Sequence, residues 1–330
     1  MSRKILVIRF SSIGDIVLTT PVVRALCLQL GAEVHFLTKM AFAPIVQHNP
    51  HIVRVFTLSD DVHSLIQELK REEYDYIIDL HHNIRTKRIK IALGKSSSSY
   101  YKLNFEKWLL VHTGVNRLPD IHIVDRYMET GAPLGLQKDE HGLDWYIPEN
   151  KKVDINSEFG VTIGNYVAFV VGAAHATKCL TTEQIISICQ QMTTPVILLG
   201  GKDETEKANQ ISVSCATGYV KNGCGRFDIL QSSSIIQQAG SIITHDTGLM
   251  HIAAALQKKQ VVVWGNTIPE FGMYPYYGKA MKQWISFEQQ ELTCRPCSKL
   301  GFPKCPKGHF KCMLGHDLSA IAKAAESLID

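Results

Sequence analysis

Short runs of β-branched and aromatic residues alternate along this chain with helix-length amphipathic stretches, and that alternation constrains the fold more than any other feature. It is the pattern of βα units on a parallel sheet. In the first half the strand-like runs are Ile5–Phe10, Val34–Thr38, Val53–Leu58 and Tyr74–Leu80. A polar stretch, Pro148–Gly164, reads as a linker, after which the pattern restarts with Tyr166–Val171, Val196–Leu199, Ser241–Thr244 and Val261–Trp264. The expectation is an α/β protein of two Rossmann-like halves, 1–155 and 156–315, facing a central cleft, with ligands at the carboxyl ends of the strands. The last helix, Leu318–Ile329 within 316–330, is expected to pack back towards the first half.

Composition supports this reading where it bears on it. With 330 residues, 45% of them hydrophobic, the chain can fill about two cores at ~150 residues per domain. Thirty-five basic against 31 acidic residues leave a net charge of only +4, which argues against nucleic acid as the main partner. The N-terminus offers only Ile5 to Ile8 before Arg9, far short of the ~7–15 apolar residues of a signal peptide. No run is expected to reach the ~18 residues of a membrane span. A cytoplasmic location with reduced thiols follows as an expectation.

Three strand-to-helix turns carry the chemistry. The first, Ser11-Ser12-Ile13-Gly14-Asp15, places Asp15 at a helix start, where it can act as a base on a bound hydroxyl or simply cap the helix. One glycine there, against the three of the dinucleotide fingerprint, disfavours a dinucleotide site. The second, Gly172 to Lys178, combines small residues with a lysine ahead of a helix, a setting suited to a diphosphate, or else an ordinary loop with a solvated lysine. The third runs Asp246-Thr247-Gly248-Leu249-Met250-His251, where side chains and amides can hold phosphate or ribose oxygens, or only cap the helix. Each bland alternative survives singly, but three such turns on successive strand ends favour a ligand site. Gly94-Lys95-Ser96 is no P-loop, because the earlier glycine position is Ile89.

Two basic segments stand apart. Leu80–Phe105 holds Arg85, Lys87, Arg88, Lys90, Lys95 and Lys102 without an acidic residue and opens on His81-His82-Asn83. It is either a solvated helix face or, because it starts at a strand end, a site for phosphate and carboxylate groups formed by His81, His82, Asn83, Arg85, Lys87 and Arg88. The second segment carries Cys294, Cys297, Cys305 and Cys312, spaced so that four thiolates could hold a structural zinc, remain reduced thiols, or pair by oxidation. Its lysines and arginine could also rest on anionic lipid headgroups.

In this order the three turns resemble glycosyltransferase family 9, the ADP-heptose:lipopolysaccharide heptosyltransferases, over nearly the whole chain. The strongest piece is Asp246–Leu256, followed by Gly265-Asn266-Thr267 where the family usually has Gly-Pro-Thr or Gly-Pro-Ser; Ser12-Ile13-Gly14-Asp15 supports it. The resemblance implies a GT-B fold and inverting transfer of heptose from ADP-heptose to an anionic Kdo-lipid A type acceptor. It casts Asp15 as catalytic base and Lys178, Asp246, Thr247, Gly248, Leu249 and His251 as donor-diphosphate residues, with Glu204 at the ribose and Phe227 near the adenine. It departs around Lys178, where Cys179-Leu180-Thr181 replace the usual aromatic and proline and Ala173 and Ala174 replace hydroxyl residues. No Asp-x-Asp triplet occurs, so cationic and dipolar groups are expected to do the work of a divalent ion and no cofactor is required. Acceptor chemistry implies peripheral contact with the inner face of the cytoplasmic membrane. The alternatives are a GT-B enzyme using another nucleotide sugar, such as a UDP-sugar, or a nucleotide-sugar-binding protein that has lost transfer.

Overall fold

A computed structural model describes residues 2–215, 218–280 and 283–329, and the chain forms two units. The first takes the chain up to Lys102, Ile121–Tyr146 and Gly278–Ala280; the second takes Leu103–Asp120, Ile147–Tyr277 and the described residues beyond 282. The first break therefore falls earlier than residue 155, and Leu103–Asp120 returns to the second unit. There the helix Asn104–Thr113 buries Leu110 against Ile268 and Phe271.

The first unit holds a five-stranded parallel sheet of β1 (Lys4–Ile8), β2 (Glu33–Lys39), β3 (Arg54–Leu58), β4 (Tyr76–Asp79) and β5 (Ser97–Ser99), in the order β3-β2-β1-β4-β5. The second holds six parallel strands: β6 (Val167–Val170), β7 (Val196–Leu199), β8 (Val220–Asn222), β9 (Ser241–His245), β10 (Gln260–Val263) and β11 (Trp284–Phe287), in the order β11-β10-β9-β6-β7-β8. Strand order reverses between β1 and β4 in one sheet and between β6 and β9 in the other. At such switch points the adjoining loops diverge and leave room for a ligand beyond the strand ends.

The second sheet explains its own sequence pattern. Val167, Phe169, Val171, Leu198, Ile243, Val261 and Val263 point into one core, while Tyr166, Ala168, Val170, Ile197, Leu199 and Ile242 point into the other. Both faces are buried, so the strands read as continuous apolar runs without polar alternation.

Several expectations are corrected. Pro148–Gly164 is not a free linker: Val153, Ile155, Phe159 and Val161 are buried in the second unit's core, with Ile155–Phe159 helical. The final helix, Leu318–Ser327, packs within the second unit, where Ile321, Ala322 and Ala325 join the core and Ser241 Oγ donates to the Ala325 carbonyl at 2.7 Å. Its apolar stripe finds its partner on the sheet nearest in sequence. One segment, Ile13–Leu30, is apolar enough by length to cross a membrane (mean hydropathy 1.5), against expectation, but it is 67% buried in the unit. It also breaks into helices Ile13–Val17 and Thr20–Leu30, because Pro21 starts a helix well but cannot continue one. Its Arg24 is buried and held by Asp139 and Asp144.

Candidate functional site

At the first unit's switch point, β1 runs through Arg9 into the helix Ile13–Val17 and β4 ends in His81-His82-Asn83. Asp15 occupies the third position of its helix. Its Oδ2 accepts from the Ser12 amide at 3.1 Å and the Ser12 hydroxyl at 2.7 Å, and its Oδ1 pairs with the Arg9 guanidinium at 2.6 Å. Capping and chemistry thus use the same carboxylate. Arg9 is buried (6% exposed), and its other nitrogens donate to the carbonyls of Ser11 (2.7 Å) and Leu80 (2.5 Å) and to Tyr127 Oη (3.0 Å). It therefore ties the β1 turn to the end of β4. Sequence reasoning passed over Arg9; the signal would have been a charged residue inside an otherwise apolar strand end.

The expected anion-binding residues behave unequally. His81 is half-buried with its ring 4.8 Å from Phe10, and burial, with Arg9 and Lys102 nearby, pulls its pKa down to about 4. It is neutral near pH 7 and offers a hydrogen bond, not a charge. The His82 ring hydrogen-bonds the Tyr100 carbonyl at 3.0 Å, and Asn83 caps the helix Ile84–Leu93 by accepting from the Thr86 amide at 2.9 Å. Arg85, Lys87 and Arg88 lie exposed on that helix, whereas Lys90 turns inward to buried Asp79 at 3.1 Å.

The second unit's switch point gathers more. Lys178, in the turn after β6, meets Asp246, at the end of β9, with Nζ 2.6 Å from Oδ2, each side chain 13–15% exposed. Thr267, from the turn after β10, donates its hydroxyl to the same oxygen at 2.8 Å. Asp246, Thr247, Gly248 and Leu249 are half-exposed at the start of the helix Gly248–Ala255, whose first amides lack partners within the helix. A cation and amide donors at one point make a site for phosphate oxygens. His251, expected beside them, is buried at 2% exposure, inside the helix packing.

Glu204 stands where β7 ends and reaches across to the β6 turn. A Cβ on Gly172 would lie 2.5 Å from its Oε1, and one on Gly200 2.9 Å from its Cβ, so both glycines make room for this side chain. A carboxylate at the end of the second strand of such a unit suits ribose hydroxyls. Phe227, after β8, leans on Phe159 (centroids 5.8 Å apart), and Arg226 lies 5.1 Å from both rings. Lys207, unforeseen, donates to the carbonyls of Val171 (3.2 Å) and Leu180 (2.9 Å) and so brackets the Lys178 turn; burial lowers its pKa. His245 is fully buried, accepts from the Leu180 amide at 3.1 Å and is pulled by burial down to about 3.

The four cysteines, for which a structural zinc was one of three readings, lie near one another: burial, with Cys297, Cys305 and Cys294 nearby, pushes the Cys312 thiol pKa up to about 11. Among the described residues no group of three His, Cys, Asp or Glu side chains is placed to hold a metal ion. Cys294 Sγ lies 3.7 Å from His309 Nε2, and Cys312 is buried in the core beneath.

The glycosyltransferase family 9 (heptosyltransferase) model matches residues 62–300, most of the chain and all of the second unit's site. The chain belongs to glycosyltransferase family 9. Like other family 9 members it is therefore a glycosyltransferase. Lipopolysaccharide heptosyltransferase 3 of Escherichia coli is 25% identical over 280 residues, covering 77% of this chain and 80% of that one. A family 9 glycosyltransferase structure from Veillonella parvula superposes with a TM-score of 0.78 at 19% identity, covering 99% and 97% of the two chains. The Escherichia coli ADP-heptose lipopolysaccharide heptosyltransferase II structure gives 0.75 at 18% identity, covering 99% and 98%. The family 9 fold here is GT-B, as the resemblance implied.

Proposed function

We propose that this chain moves a heptose from an ADP-heptose donor to a lipopolysaccharide inner-core acceptor of the Kdo-lipid A type, with inversion at the anomeric carbon. The names of its relatives support the substrate classes. The observation that carries the reading is the meeting of Lys178 and Asp246 at 2.6 Å beside a helix N-terminus, at a switch point. As the glycosidic bond breaks, its electron pair leaves with ADP, and the growing negative charge falls where Lys178 and the amides of Thr247, Gly248 and Leu249 can stabilise it. Glu204 takes the ribose hydroxyls and Phe227 offers an apolar surface to the adenine.

Asp15 takes the proton of the attacking acceptor hydroxyl, a role typically worth ~10²–10⁴-fold in rate. Because Oδ1 is held by Arg9, Oδ2 is the oxygen that exchanges Ser12 for the acceptor. The acceptor oxygen bonds to the anomeric carbon from the face opposite ADP, so configuration inverts in one displacement. No cofactor enters the reaction as written. The exposed Arg85, Lys87 and Arg88 attract the acceptor's phosphates and carboxylates. With a lipid-anchored acceptor, the protein would work from the cytoplasm as a peripheral visitor to the inner face of the cytoplasmic membrane.

The deciding experiment measures ADP release from ADP-heptose with and without Kdo-lipid A, alongside UDP-sugars. Release that depends on the acceptor is expected. Turnover of UDP-sugars alone, or tight ADP binding without transfer to any inner-core acceptor, would overturn the reading.

A further inference from the structure

The cysteine-bearing segment after β11 makes its contacts with the turns of the phosphate site. The Arg295 side chain is 4% exposed and ion-paired with Glu288 at 3.0 Å. Its Nε donates to the Gly265 carbonyl at 2.7 Å and its Nη2 to the Thr267 carbonyl at 2.8 Å. A planar fork holding two carbonyls of one three-residue turn fixes that turn's orientation, which a lysine's single ammonium would do less well. Thr267 then passes the constraint on, because its hydroxyl donates to the Asp246 oxygen that also receives Lys178.

The same segment grips the Lys178 turn from its other end. The Phe302 amide donates to Thr177 Oγ1 at 2.8 Å, and the Thr177 amide donates to the Phe302 carbonyl at 3.2 Å. A Cβ on Gly301, whose φ is +117°, would sit 2.6 Å from the His175 Cβ. Asn266 closes the circuit: its amide donates to the Thr177 carbonyl at 3.2 Å, its Oδ1 accepts from the Thr177 hydroxyl at 3.0 Å, and its Nδ2 donates to the Ser298 carbonyl at 3.4 Å. A proline at this position could make none of these three bonds. Gly265 is equally constrained, since a Cβ there would lie 2.2 Å from the Thr177 carbonyl oxygen.

We propose that residues 295–302 form a strap that sets the donor-diphosphate turns, with Arg295 as a positioning residue acting on Asp246 and Lys178 through Thr267. The proposal rests on the donor reading above for the identity of the ligand, while its geometry rests on the contacts of Arg295, Thr267, Asn266 and Phe302.

The test uses the full-length protein carrying Arg295→Met together with Glu288→Gln, so that no buried carboxylate is left unpaired. Calorimetric titration with ADP should show Kd raised by about ten- to hundredfold. In a Thr267→Val background, where the route to Asp246 is already cut, the same pair should change Kd by less than about twofold. An equal fold-change in both backgrounds, or none in the first, overturns the proposal. Arg295→Lys, which keeps charge but loses the fork, carries the same comparison if the double variant does not fold. Hydrogen exchange of residues 172–180 and 245–250 is measured alongside. If the wild-type protein fails to bind ADP, the donor reading falls, and exchange decides the strap: faster exchange in both turns of the variant supports it, and unchanged exchange refutes it.

Discussion

The Arg9 guanidinium lies 2.6 Å from the Asp15 carboxylate, and the same guanidinium reaches the carbonyl that ends β4. The proposed base is thus oriented from below by a buried cation that also fixes the neighbouring strand end. Asp15→Asn should lower kcat by ~10²–10⁴-fold while leaving ADP binding unchanged. Arg9→Lys keeps the charge but cannot serve all of these partners at once, so kcat should fall by about tenfold with a lower Tm. Steady-state kinetics with calorimetric ADP binding checks both.

Gly172 and Glu204 are packed so that any side chain at 172 displaces the carboxylate. Gly172→Ala should therefore weaken ADP binding by about tenfold, the scale of one charge-assisted hydrogen bond. Combined with Glu204→Ala, the added methyl group has nothing to strike, and Gly172→Ala should then have little further effect. A double-mutant cycle on ADP Kd reads this directly.

Arg85 and Arg88 are exposed on the helix that begins at the end of β4. Replacing both by glutamate should raise the acceptor KM severalfold at low salt, with the effect shrinking as ionic strength rises towards the ~10 Å Debye length of 0.1 M salt. Donor KM should not move. Kinetics across a salt series measures both.

Burial holds His245 down at about 3 and His81 at about 4, against an ordinary value of 6.5. Between those values and 6.5 the unfolded chain binds protons that the folded chain does not. Stability is therefore fully present above pH 6.5 and falls with pH, by up to about 1.4 kcal/mol per pH unit for each histidine, down to pH ~4 for His81 and ~3 for His245. His245→Gln keeps an acceptor for the Leu180 amide. It should flatten the pH dependence of ΔG from urea unfolding between pH 6.5 and 4.

All eight strands expected from apolar runs are present: seven lie inside their sheets, where parallel strands buried on both faces must be apolar throughout, and the eighth, β3, is an edge strand. Those that went unseen, Ser97–Ser99, Val220–Asn222 and Trp284–Phe287, are edge strands of their sheets. An edge strand has one neighbour and is short, so its sequence needs no sustained apolar pattern. The turns bearing Asp15, Lys178, Asp246 and Glu204 were legible because they follow buried strands and open helices.

Local features can be read from residue order: which runs become strands, which turns follow them, and the family those turns signal. The tertiary structure alone decided the pairings, since these join residues far apart in the chain. Lys178 meets Asp246 because strand order reverses between β6 and β9, and Arg9 reaches Leu80 because it reverses between β1 and β4. It also decides that the arginine of the cysteine-bearing segment holds the turns beside Asp246, since a buried guanidinium must find carbonyl and carboxylate partners wherever the fold supplies them.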